Sequence, residues 1–128
     1  MRIDSFAETT DLGAVNPLAT FQAHIRVDEL IVFDIGTLSF LTYGDRLSIL
    51  DLDGIVNSSC SGGTGEIELG YIDYSSELDN NPVGLKVNEG ADYCEQGGQR
   101  YEGYVAGNPI IFQATYIGGE VEYLIPDM

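Results

Sequence analysis

The stretch Leu30–Val56, LIVFDIGTLSFLTYGDRLSILDLDGIV, constrains this chain more than any other. It is the densest apolar run, and Gly36-Thr37 and Gly44-Asp45-Arg46 break it into pieces of strand length rather than helix length. Leu30–Ile35 reads as a continuous buried strand. Leu38–Tyr43 and Leu47–Leu52 read as the arms of a hairpin, with Leu41 opposite Ile49, Phe40 opposite Leu50 and Leu38 opposite Leu52. Apolar side chains then point both ways, as expected of a central strand pair covered on both faces.

The same pattern of short strands and turns continues on either side. Residues 2–7 form a short strand, and 8–17, with Gly13 and Asn16-Pro17, form a loop. Over Leu18–Val27 two patterns compete. Asn16-Pro17 is a good helix start, but Phe21, Ala23, Ile25 and Val27 alternate with Gln22, His24 and Arg26, and that period of two favours a strand. Asn57–Gly65 is a Ser- and Gly-rich loop. Glu66–Tyr74 is a strand with Ile67, Leu69 and Tyr71 on one face and Glu66 and Glu68 on the other. Ser75–Gly84 is an exposed loop; Leu85–Asn88 and Gln99–Ala106 are strands, the second ended by Gly107-Asn108-Pro109. At the C-terminus, Ile110–Ile117 and Glu120–Ile125 flank Gly118-Gly119, read as a two-residue hairpin turn. That register pairs Tyr116 with Val121, Ala114 with Tyr123 and Phe112 with Ile125, giving one apolar and one mostly polar face. About eight to ten short strands across residues 1–128 make a single all-β domain, an antiparallel β-sandwich of jelly-roll or Ig-like kind.

Charge narrows the class of partner. Twenty-one Asp and Glu face five Lys and Arg, a net charge of −16, spread along the whole chain. Phosphate backbones are repelled by such a surface, so direct nucleic-acid binding is not expected. A basic partner or a high-salt medium fits better. No apolar run has the length of a membrane span. MRIDSFAETTDLG lacks the basic and apolar regions of a secretory leader. The expectation is a protein that stays in the cytoplasm or leaves by another route, such as inside a virion.

Cys60 and Cys94 both sit in Gly-rich, turn-like sequence. A bridge between them would close a loop of about 34 residues and contribute about 3–4 kcal/mol. Two free thiols in a reducing cell are the alternative. Their spacing, with one histidine in the chain, does not make a zinc site.

Two segments carry catalytic-looking sequence. Ile49–Ser58, ILDLDGIVNS, resembles the first motif of haloacid-dehalogenase-like phosphohydrolases, an apolar strand ending in Asp-x-Asp-Gly. The resemblance implies Asp51 as nucleophile, Asp53 as acid/base and magnesium between them. It also implies a lysine and a further acidic pair, for which Lys86, Glu89 and Asp92 stand in. The helices that a parallel sheet needs are missing from the pattern of residues 57–128. Phe33-Asp34-Ile35-Gly36-Thr37 resembles the first phosphate loop of actin-like ATPases, whose folds are several times longer. Asp51 and Asp53, or Asp79, Asn80 and Asn81, also offer oxygen ligands for calcium or magnesium, without EF-hand spacing. His24 has no nucleophile elbow near it. Tyr71, Tyr74, Tyr101 and Tyr104 are candidates for a sugar-binding platform.

Taken together, the residues lead to the expectation of a non-enzymatic structural or binding module, with no cofactor required. The setting expected is a virion, where the chain would be a capsid-decorating, head or tail protein that self-associates and contacts other structural proteins. The alternatives are a secreted, extracellular carbohydrate- or calcium-binding module, a small phosphatase using Asp51 and Asp53, and an acidic decoy that binds a basic protein.

Overall fold

The computed structural model describes residues 2–3, 6–8, 28–88, 90–105, 108 and 110–126. The strand-or-helix question over 18–27, and His24 with it, lies outside them. Among the described residues the chain is all-β and sandwich-like, with no α-helix. Its strands are β1 (Arg2–Ile3), β2 (Phe6–Glu8), β3 (Asp28–Phe33), β4 (Arg46–Ile55), β5 (Thr64–Asp73), β6 (Val83–Asn88), β7 (Ala91–Asp92), β8 (Arg100–Tyr101), β9 (Ile110–Thr115) and β10 (Val121–Pro126). One sheet has the order β1-β3-β6, a second has the order β2-β10-β9-β4-β5, and β7-β8 make a small ribbon. All pairings are antiparallel except β1 with β3.

The two larger sheets share one core. Ile3, Ile31, Phe33 and Val87 come from the first sheet, and Leu47, Ile49, Ile72, Ile110, Phe112, Ala114 and Leu124 from the second. The Phe33 and Phe112 rings meet edge to face at 5.9 Å, and Phe6 packs against both, at 6.1 and 5.1 Å. Each such fully buried apolar side chain contributes about 1.5–3 kcal/mol. Pairs at these distances add a little more.

β4 is an interior strand, but not through the hairpin its sequence suggests. Leu38–Tyr43 is not a strand. Residues 34–45 run as a chain of tight turns, with Thr37 N donating to Asp34 O, Ser39 N to Gly36 O, Leu41 N to Leu38 O and Asp45 N to Thr42 O. Gly36 and Gly44 take φ of 85° and 101°, which only glycine adopts without strain. In this turn path the three-residue spacing of Leu38 and Leu41 brings both into the core, where an extended strand would send them to opposite faces. The flanks of β4 are taken instead by β5 and β9. Apolar burial on both faces does hold for β4: Leu47 and Ile49 enter the shared core, while Leu50 is buried on the other face, opposite the fully buried Ile111 of β9.

Three further registers differ from expectation. The turn joining β9 to β10 has three residues, Ile117-Gly118-Gly119, closed by Tyr116 N donating to Glu120 O and Gly119 N donating to Tyr116 O. This is a type I turn followed by a left-handed glycine, with Gly119 at φ 93°. The extra residue shifts the pairing by one, so Leu124 faces Phe112 and Glu122 faces Ala114. Leu124 enters the core and Val121 stays exposed. In β5, a bulge between the Ile49–Gly70 and Leu50–Glu68 pairs breaks the alternation. Ile67 and Leu69 lie inward, and beyond the bulge Ile72 does so while Tyr71 turns to solvent. Finally, the strand expected over Gln99–Ala106 shrinks to β8 and an isolated bridge from Gly103 to Ile55.

Candidate functional site

Asp51 lies in the middle of β4, with its side chain completely buried. Its Oδ1 accepts the Asp53 N–H at 2.9 Å, and its Oδ2 accepts the Val105 N–H at 3.0 Å. The Asn108 amide sits 3.1 and 3.2 Å from the two oxygens and also donates to the Asp53 carbonyl at 2.9 Å. The carboxylate thus ties the middle of β4 to Val105 and Asn108. The phosphohydrolase resemblance implies a nucleophile open to substrate, and this geometry is different. Asp53, two residues on, is exposed and accepts the Thr64 hydroxyl. One carboxylate of the pair is buried and the other exposed, and no group of three or more His, Cys, Asp or Glu side chains able to hold a metal occurs among the described residues.

The other residues of that resemblance are dispersed. Lys86 belongs to β6, and Glu89 lies outside the described residues. Asp92 is in β7, where its Oδ1 accepts the Cys94 N–H at 2.9 Å. Thr37, the last residue of the phosphate-loop-like segment, is buried with its hydroxyl donating to Ile3 O at 3.2 Å.

A second aspartate does the same work at the start of β4. Asp45 is buried just before the strand, with Oδ2 accepting the Thr42 N–H at 2.7 Å and Oδ1 accepting the Ile117 N–H at 2.9 Å. Its carbonyl accepts from Tyr74 N, and Gly44 N donates back to Tyr74 O. One partner, Thr42, is local, but the other two lie in the β9–β10 turn and just past the end of β5, where the local pattern does not reach.

The four tyrosines do not form one platform. Tyr71 is exposed on the outer face, with the Arg46 guanidinium 3.9 Å from its ring centre and Arg46 paired to Asp73 at 2.8 Å. Tyr101 meets Tyr93 edge to face at 5.9 Å. Tyr104 is buried and donates to Asn108 O at 2.6 Å. Tyr74 is largely buried, and its ring lies 5.4 Å from that of Tyr43.

Tyr74 belongs instead to a group that the sequence does not announce. Its hydroxyl donates to Asp79 Oδ1 at 2.6 Å, and the Tyr43 hydroxyl donates to Asp79 Oδ2. These two donors hold the Asp79 carboxyl below its usual range. In return, hydrogen bonding to Asp79 pushes the Tyr74 hydroxyl up to about 12 and raises that of Tyr43. Beside this triad a cleft of about 180 Å³ opens between the turns after β3 and the loop before β6, reached by Asp34, Tyr74, Asp79 and Asn81.

Cys60 and Cys94 form a disulfide, with Cα atoms 5.8 Å apart. It joins the loop between β4 and β5 to a 3-10 turn at Cys94–Gln96. Arg100, buried beneath, supports the same loop: its guanidinium donates to Ser59 O at 3.2 Å, to Gly62 O, and to Gly63 O at 2.9 Å. Arg100 Nε is buried without an acceptor, 3.9 Å from Asp92 Oδ2.

Among the described residues no helix is long and apolar enough to cross a membrane. No family model matches the chain, and no curated protein and no solved structure matches it.

Proposed function

We propose that this chain is a non-enzymatic module that acts by binding and assembly, as a structural component of a virion surface. The observation that carries the non-enzymatic reading is the state of Asp51. A carboxylate that attacks phosphorus needs an open oxygen beside a cation. Here both oxygens are buried and engaged by the Asp53 and Val105 N–H groups and the Asn108 amide. The virion setting is supported by an acidic, Gly-rich β domain with a disulfide, since virion surfaces are oxidising environments. A secreted carbohydrate- or calcium-binding module is the second reading, favoured by the same bridge.

The test has two arms. Peptides of this chain are expected in particles purified from cells that carry its gene, and their confinement to the soluble fraction would overturn the virion role. The purified protein with Mg²⁺ is expected to leave p-nitrophenyl phosphate intact. Hydrolysis that disappears in Asp51→Asn would restore the phosphatase.

A further inference from the structure

A strand at the end of a sheet carries N–H and C=O groups that no neighbour takes, so a β-sandwich can still gain hydrogen bonds at its edges. The four edges of the two larger sheets are unequal. β1 and β2 have two and three residues and β6 has six, while β5, at the end of the five-stranded sheet, has ten. β4 is the one strand beside β5, and among the described residues no other backbone hydrogen bond reaches Thr64–Asp73.

The side chains of β5 narrow what can pair there. Up to the bulge, exposure alternates: Thr64, Glu66 and Glu68 are exposed, while Ile67 and Leu69 lie inward and are only half-buried. Glu66 and Glu68 form no ion pair and accept no hydrogen bond among the described residues. Asp53, bonded to the Thr64 hydroxyl, sets a third exposed carboxylate at the same end. Past the bulge the charge is already answered, because Arg46 pairs with Asp73 at 2.8 Å. A second copy of the chain is a poor occupant. Antiparallel β5–β5 pairing would bring Glu66 and Glu68 of one molecule beside those of the other, and each molecule carries a net charge of −16. For a segment rich in lysine or arginine the same charges attract.

We propose that Thr64–Leu69 receives an extended basic segment of a partner protein as an added strand of the sheet. Its lysine or arginine side chains meet Glu66 and Glu68 on the outer face, and its alternate, apolar side chains cover Ile67 and Leu69. The surface rests on the assembly reading, for which it supplies the chemistry of the partner.

The probe is an end-blocked octapeptide of alternating lysine and valine, titrated into the whole protein at low salt and followed by calorimetry and amide hydrogen exchange. Binding is expected to slow exchange within Thr64–Leu69. It should be about tenfold tighter than for an isomer with the lysines and valines in separate blocks, which has the same charge but cannot present it on one face of a strand. Glu66→Gln combined with Glu68→Gln, at exposed positions where folding is not at stake, is expected to weaken it about tenfold. No binding, equal binding of the block isomer, unchanged affinity in the double variant, or exchange that slows elsewhere but not at Thr64–Leu69 would each overturn the proposal. Incorporation into particles is read separately: a chain found in particles that fails the peptide test keeps its assembly role and loses this surface.

Discussion

Asn108 spans Asp51 and Asp53: its side-chain amide donates to the buried carboxylate of the first and to the backbone carbonyl of the second. Residues 57 positions apart in sequence are thereby tied together. Asp51→Ala deprives the Asp53 and Val105 N–H groups and the Asn108 amide of their acceptor. At about 1–3 kcal/mol for each buried group left unsatisfied, the loss should reach about 3 kcal/mol in urea denaturation. Asn108→Asp should cost more than Asn108→Ala, because it sets a second carboxylate against Asp51. The opposite order would show that the amide does not carry the contact.

The disulfide should matter through the loop it closes. Cys60→Ser with Cys94→Ser is expected to lower stability by about 3–4 kcal/mol, the loop-entropy value for a sequence separation of 34. Thermal unfolding with and without reductant measures the same quantity in the unaltered chain. Arg100→Lys should add to the loss, because an ammonium cannot fork to the Ser59, Gly62 and Gly63 carbonyls as the guanidinium does.

The β9–β10 turn separates its two glycines. Gly119 holds φ 93°, so Gly119→Ala should cost about 1–2 kcal/mol through backbone strain, although an added Cβ would meet nothing within 4 Å. Gly118→Ala, equally open and without a positive φ, should be close to neutral. A two-residue turn would instead make both positions sensitive.

The Tyr43–Tyr74–Asp79 group should show at both ends of the pH scale. The folded Asp79 carboxyl titrates below its ordinary value, because two hydroxyls donate to the ionised form. Its contribution to stability is therefore present above the unfolded pKa and is lost as pH falls through the folded one. Tyr74 titrates near 12, so its contribution is complete below the ordinary tyrosine pKa and is lost as pH rises through the raised one. Tyrosinate absorbance should contain a late-titrating component that Asp79→Asn brings back toward the ordinary range. An unchanged titration in that variant would separate the hydroxyls from Asp79.

Much of the fold class was legible in local pattern. Alternation marked β5 and β9, and the Gly and Asn-Pro punctuation marked where strands end, because both reflect conformational preferences of a few adjacent residues. The site was less legible. Asp51 and Asp53 stood out because catalytic aspartates also follow apolar strands, yet the role of Asp51 depends on Val105 and Asn108. Asp79 stood out only as loop sequence and as one of three oxygen ligands a cation could take. Its partnership with Tyr43 needs β4 and β5 to be paired first, with Tyr74 N–H bonded to Asp45 O at the end of that pairing.

By itself the sequence determined that this is a small, acidic β domain with Leu47–Leu52 in an interior position and a glycine turn near its C-terminus. Those properties follow from the free-energy preferences of neighbouring residues for strand, turn or burial. Only the tertiary structure decided that β4 sits between β5 and β9, that one inserted turn residue sends Leu124 inward, and that Asp45 and Asp51 are buried crosslinks just before and in the middle of one strand. Each of these depends on which distant N–H or side chain arrives to satisfy a group. Local pattern cannot specify that, because a carboxylate is tolerated in the interior only once those partners are in place.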